Sequence, residues 1–202
     1  MKFLHRLDLL TWSVFDCDRN VDFNSIAWIR PAGHVLIDPL PLSDHDWQHL
    51  QSLGETAWIV ITNSDHIRAS QEIADRTGAQ IAGPRAEQAT FAIGCDRYLA
   101  EGDEIVPGLT VMELHGSKTP GELALLLDDN ILITGDLVRA HQANQLMLLP
   151  QPKLQDPKAA QESVQRLASL SQIETVLVGD GWSIFENGHQ YLQALAQKQL
   201  SG

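Results

Sequence analysis

The chain has 202 residues, of which 44% are hydrophobic, with a formal net charge of −12 and a pI near 4.9. That length suits one core and a single α/β domain over residues 1–202, and the acidic balance excludes unaided binding to nucleic acid or anionic membranes, because a negative field repels phosphate. No apolar run is long enough to span a bilayer, the first residues carry charge where a leader would be apolar, and Cys17 and Cys95 form no CxxC pair, so a cytoplasmic location is expected.

In chain order, Leu9 to Phe15, Asn24 to Arg30 and Gly33 to Asp38 read as three successive strands, with Pro31 to Gly33 turning between the last two. Asp16 to Asp22 spaces its carboxylates like a calcium loop. Val21 stands where glycine is needed and Ala27 cannot close the coordination, so a solvated turn is expected instead. Ser43 caps a helix that ends at Gly54, and His45 and His49 on it read as solvated. Ala57 to Ile61 is a continuous apolar run, hence a strand buried on both faces, and Thr62 to His66 is the polar loop at its carboxyl end. A short helix follows, with Asn63, Ser64 or Asp65 as its cap.

Beyond it come a strand at Gln80 to Gly83, a weak helix from Pro84 to about Ile93, and strands within Arg97 to Val106 and Leu109 to Leu114, broken at Glu101-Gly102-Asp103 and Pro107-Gly108. The loop His115 to Glu122 precedes a strand at Leu123 to Leu127, and Asn130 to Val138 reads as another strand and its end. A Pro- and Gln-rich connection, Gln142 to Gln155, leads to a helix started by Asp156-Pro157, then to a strand from Thr175 that ends in Gly179-Asp180-Gly181-Trp182. A C-terminal helix turns Tyr191, Leu192 and Leu195 inward, and Trp58, Trp182 and Phe185 are expected in the core.

Five short strings stand at strand ends in sequence: Ile37-Asp38-Pro39, Asp65-His66, Lys118-Thr119-Pro120-Gly121, Thr134-Gly135-Asp136 and Gly179-Asp180-Gly181. Their order resembles the motif set of the metallo-β-lactamase superfamily, whose central loop is usually Thr-His-x-His-x-Asp-His. The resemblance implies a four-layer αββα sandwich with the site at one edge. It also implies a division of residues between two metals. The first metal's ligands fall on Ile61, Asn63 and Lys118, none of which suits zinc, so the first site is expected to be lost. The second site would draw on Asp65, His66, Asp136 and Asp180, with Asp38 and Asn63 as supports, and would hold at most one divalent ion: zinc, manganese, iron or magnesium.

Lys118 separates two expected functions. In one, a metal-free or at most single-metal protein with residual or no hydrolase activity keeps its pocket for a small-molecule ligand or a partner, and the Lys118 ammonium serves as counter-ion to Asp65 and Asp136. In the other, a single-metal hydrolase acts on an ester, thioester or lactone, with Lys118 and Asp65 catalytic and Lys118 stabilising the oxyanion. Three carboxylates facing one ammonium and a neutral imidazole leave two excess negative charges. A bound cation, a protonated carboxyl, a charged His66, or Arg68 or Arg139 folding inward would answer them. Oligomeric state and substrate leave no signature in the chain.

Overall fold

A computed structural model describes residues 1–6 and 8–200, the side chains of residues 199 and 200 excepted. A two-residue strand, β1 (Lys2–Phe3), lies beside β2 (Leu9–Asp16), which buries Leu9, Leu10 and Trp12 at one end and exposes its other end. Asp16 Oδ1 accepts from the amides of Asp18 and Arg19, an aspartate-closed turn that delivers the chain into β3 (Val21–Trp28). β4 (His34–Ile37) pairs antiparallel with β3, after which Ser43 caps α1 (Asp44–Leu53) by accepting from the Asp46 amide. β5 (Thr56–Val60), β6 (Gln80–Pro84) and β7 (Arg97–Leu99) then add in parallel, giving a seven-stranded sheet in sequential order, with α2 (Ser70–Thr77) crossing over between β5 and β6.

The second sheet has five strands in the order β14-β11-β10-β9-β8. It consists of β8 (Glu104–Val106), β9 (Leu109–Leu114), β10 (Glu122–Leu127), β11 (Ile131–Thr134) and β14 (Thr175–Val178), the last parallel to β11. A separate hairpin, β12 (Val138–Gln142) with β13 (Gln145–Leu148), precedes α3 (Pro157–Ala168), and α4 (Gly188–Leu200) closes the chain. Asp156 caps α3 through the Lys158 and Ala159 amides, with Pro157 in the first turn as the sequence leads one to expect.

Three apolar clusters define four layers. Leu36, Ile59, Ile61 and Ile81 pack with Trp47, Leu50 and Ile73 of the first two helices. Ile37, Val60, Leu123, Leu125, Ile133 and Leu177 fill the space between the sheets. Leu132, Val176 and Val178 pack with Val164, Leu167, Leu192 and Leu195 of the last two helices. Strands buried on both faces are apolar through most of their length, as β4, β11 and β14 are, with polar His34, Thr134 and Thr175 only at their ends. This is the αββα sandwich.

Several elements differ from expectation. Asn63 caps a single 3₁₀ turn at Ser64–His66, and α2 starts only at Ser70, because Arg68 takes a left-handed φ of 45° that no helix continues through. The segment after Pro84 makes one 3₁₀ turn, Arg85–Glu87, rather than a helix. Gln142 to Gln155 was expected as a plain connection, yet it holds β13, whose Leu146 is buried. Trp182 and Phe185 are 63% and 44% exposed, so they are surface residues rather than core, and Trp58 is only partly buried. His45 is exposed as expected, while His49 stands edge-on to Phe3.

The two sheets are stitched together at the edge where the strand ends gather. The Asn24 amide donates to Gly179 O (2.8 Å), Asn24 Nδ2 reaches Val178 O and Gly181 O, and the Gly181 amide donates to Asp22 O. The Leu123 amide donates to Thr62 O. Gly181 has φ 91°, and a Cβ there would lie 2.1 Å from Ala140 O, so a side chain would push the hairpin off the edge.

Candidate functional site

Asp38 leaves β4 with a left-handed φ of 48°, a conformation that aspartate tolerates better than most side chains. This turn aims its carboxylate at the loop after β5. Oδ1 accepts from the Thr62 amide (2.8 Å), and Oδ2 accepts from the Thr62 hydroxyl (2.6 Å) and faces His66 Nδ1 at 2.8 Å. Asn63 Oδ1 accepts from the Asp65 amide at 3.0 Å, holding the turn that carries both Asp65 and His66.

Two buried glutamates, neither anticipated from sequence, tie this loop to its neighbours. Glu87 accepts from the Ser64 amide (3.0 Å) with one oxygen and from the Gly121 amide (3.1 Å) with the other. Glu122 accepts from the Leu137 amide (2.6 Å) and from the Ser117 hydroxyl, joining the loop before β10 to the loop after β11. Glu122 directly follows the Thr-Pro-Gly turn and is the first residue of an otherwise apolar strand. That lone acid was the available signal, whereas Glu87 had none, lying in a segment read as a helix.

These loops open onto a cavity of about 440 Å³ lined by Asp65, His66, Lys118, Asp136 and Asp180, together with several basic residues. Lys118 Nζ stands 2.7 Å from Asp65 Oδ2 and 2.8 Å from Asp136 Oδ2. Arg139 Nη2 stands 3.1 Å from Asp136 Oδ1 and 2.7 Å from Asp180 Oδ2, while its Nε donates to Asp136 O. His66 Nε2 faces Asp136 Oδ2 at 3.5 Å. Asp136 thus lies at the centre of three cations.

Protonation follows from this packing. Complete burial would push the His66 imidazole down, but the Asp38 charge and hydrogen bonds to Asp136 and Asp38 outweigh it and raise the group to about 9. Burial works against ionisation of Asp136 too, yet His66 and then Lys118 hold its carboxyl well below the usual range. Burial works against charge on Lys118, and Asp136 and Asp65 still raise its pKa. Burial and the Asp136 charge push Glu122 up to about 7.

The arrangement brings Asp65, His66, Lys118, Asp136 and Asp180 to one cavity and sets Asp38 behind His66. Ile61 points instead into the helix-side cluster, and Asn63 is a fully buried cap. Of the ways to offset the excess negative charge, two operate: His66 is charged at neutral pH and Arg139 folds in. Arg68 goes elsewhere, donating to Asn24 O (2.6 Å) and Asp38 O (2.9 Å).

A divalent ion would need the donors of His66, Asp136 and Asp180, which lie within 4.8 Å of one another. The same two carboxylates are bonded to the buried Arg139 guanidinium, and the oxygen of Asp136 nearest His66 is bonded to Lys118. An ion entering there would have to displace both.

The family described as the metallo-beta-lactamase superfamily matches residues 1–199. Among solved structures, a metallo-beta-lactamase from Pontibacter korlensis superposes with a TM-score of 0.75 at 18% identity, covering 98% of this chain and 97% of that one. The DIM-1 metallo-beta-lactamase gives 0.74 at 16% identity, covering 96% and 94%. ETHE1 from Myxococcus xanthus gives 0.69 at 22% identity, covering 93% and 85%. At these identities the likeness is one of fold. No curated protein matches the chain. Among the described residues no helix is long and apolar enough to cross a membrane.

Proposed function

The chain belongs to the metallo-β-lactamase superfamily, a fold of hydrolases, and from that premise we propose that it is a member whose site is held together by its own cations rather than by metal ions, leaving a pocket that binds a small molecule. The observation that carries this reading is the pair of bridging contacts: Lys118 between Asp65 and Asp136, and Arg139 between Asp136 and Asp180.

A carboxylate as buried as Asp136, 2% exposed, is costly unless it is paired. In this family metal ions do the pairing. Here an ammonium and a guanidinium do it, the guanidinium with a planar fork suited to two carboxylates. With Asp136 paired to Lys118 and Arg139 and one oxygen of Asp180 paired to Arg139, the residues fit a divalent ion poorly, and no hydrolytic step is assigned to one.

The spacing of His66, Asp136 and Asp180 favours one competing reading, a single-metal hydrolase of an ester, thioester or lactone. Elemental analysis separates the two. Untagged protein purified without chelators, then challenged with zinc, manganese and iron, is expected to hold far less than one ion per chain. About one ion per chain, lost in Asp180→Ala, would overturn the metal-free reading.

A further inference from the structure

We infer that the cavity is a binding site for a small anion, a carboxylate or phosphate ester that also carries a hydroxyl or amine. The assignment rests on the reading that Lys118 and Arg139, not metal ions, neutralise the aspartates.

The first observation is local charge. The chain as a whole carries −12, yet five of its 14 lysines and arginines line this one cavity, against three of its 26 acidic residues. Lys118 and Arg139 are spent on Asp65, Asp136 and Asp180. Arg19, Arg68 and Lys153 remain, and they arrive from three separate elements: the β2–β3 turn, the loop after β5 and the 3₁₀ turn Gln151–Lys153. A concave, low-dielectric wall in which basic side chains outnumber acidic ones concentrates a positive field inward, so the cavity attracts what the outer surface repels.

The second observation is how Arg68 is held. It donates to two backbone carbonyls, Asn24 O and Asp38 O, and its guanidinium lies 5.8 Å from the Phe23 ring centroid. Carbonyl partners fix a guanidinium without cancelling its charge. Arg19 lies over the same ring at 5.6 Å and, among the described residues, is ion-paired loosely with Asp16 at 3.8 Å. Two guanidiniums thus stand against one aromatic ring in the cavity wall, Arg68 fixed in place by its carbonyl partners, which lowers the ordering cost of binding an anion to it.

The third observation bears on the rest of the ligand. Asp180 is buried and lines the cavity, and its Oδ1 has no hydrogen-bond partner. A buried carboxylate oxygen left without a donor is costly, so a ligand hydroxyl or ammonium reaching it would be stabilised. A volume of about 440 Å³ suits a metabolite-sized molecule.

The test is calorimetric titration of the full chain, treated with chelator and assayed for metal, at low ionic strength. The probes are inorganic phosphate, glycerol 3-phosphate and uncharged glycerol. Saturable binding of either phosphate and none of glycerol is expected, weakened about tenfold or more by Arg19→Glu and by Lys153→Glu. The exposed Lys158→Glu, outside the cavity, should leave it unchanged. No saturable binding to metal-free wild-type protein would overturn this inference and leave the metal-free reading standing. Binding indifferent to both cavity reversals, or equally weakened by Lys158→Glu, would overturn it as general surface charge. Phosphate binding by a metal-loaded sample that vanishes on chelation would overturn both.

Discussion

Lys118 Nζ stands 2.8 Å from Asp136 Oδ2, the same oxygen that His66 Nε2 faces at 3.5 Å, while Arg139 takes the other oxygen at 3.1 Å. A single buried aspartate thereby organises three cations, His66 and Lys118 from two loops and Arg139 from strand β12. Its negative charge ties those two loops and the hairpin together at one edge of the sandwich.

Removing Lys118 should therefore cost stability. Lys118→Ala leaves Asp136 with two cations instead of three, and Asp65 with none nearby. Lys118 is only half-buried and Asp65 is 53% exposed, so solvent screens part of the loss. The expected decrease is about 2 kcal/mol by urea denaturation at neutral pH. An unchanged or raised midpoint would mean that the lysine is not a counter-ion.

Arg139→Ala should cost more. Arg139 is itself buried and bonds two carboxylates that are each 2% exposed, so its loss leaves Asp180 without its ion-pair partner and Asp136 with only Lys118 and His66. A decrease of about 3–4 kcal/mol is expected in the same measurement. A loss smaller than that of Lys118→Ala would show that solvent enters the site more freely than its burial implies.

Single elements were legible in the sequence because apolar runs such as Ile59 to Ile61 and Ile131 to Ile133 read as buried strands and because Ser43 and Asp156 announce their helices, whereas the four layers were legible through the resemblance carried by motif order. The gathering of Asp65, His66, Lys118, Asp136 and Asp180 was legible through motif order. What stayed hidden depends on direction rather than identity. Arg68 and Arg139 are each three residues or fewer from a motif acid, yet only Arg139 reaches the carboxylates. The left-handed backbone at Arg68 turns its side chain to carbonyl oxygens. Glu87 and Glu122 escaped notice because a buried glutamate accepting from amides of distant loops leaves no local pattern. Trp182 and Phe185 were misplaced because bulk alone does not decide which side of a strand-end loop faces water.

Arg139→Ala also opens a route to metal. Without the guanidinium, His66, Asp136 and Asp180 keep donors within 4.8 Å of one another and lose the cation that engages two of them. The variant is expected to take up about one manganese or zinc ion per chain and to regain part of its lost stability when loaded. Elemental analysis and a urea midpoint with and without metal would check this. A variant that binds no more metal than the wild type would show that the donor geometry, not the arginine, is what excludes the ion.

The site should make folding stability fall as pH rises, in two stages. Glu122 is raised to about 7 from 4.5, so the folded chain holds a proton that the unfolded chain has released. Its penalty is absent below pH 4.5, grows through the interval and is complete above about 7. His66 is raised to about 9 from 6.5, so its favourable charged contacts are fully present below 6.5 and are lost as pH climbs through 9. Asp136 acts in the opposite sense: its depressed carboxyl stabilises the fold above the ordinary aspartate range and loses that contribution only under strong acid. Urea midpoints should accordingly decline from mildly acidic to alkaline pH. Glu122→Gln should flatten the acidic half of that decline, since glutamine can still accept from the Leu137 amide and donate to the Ser117 hydroxyl. His66→Gln should flatten the alkaline half at the expense of lower stability throughout. A profile that rises toward pH 9, or one indifferent to both substitutions, would contradict the protonation states assigned to the site.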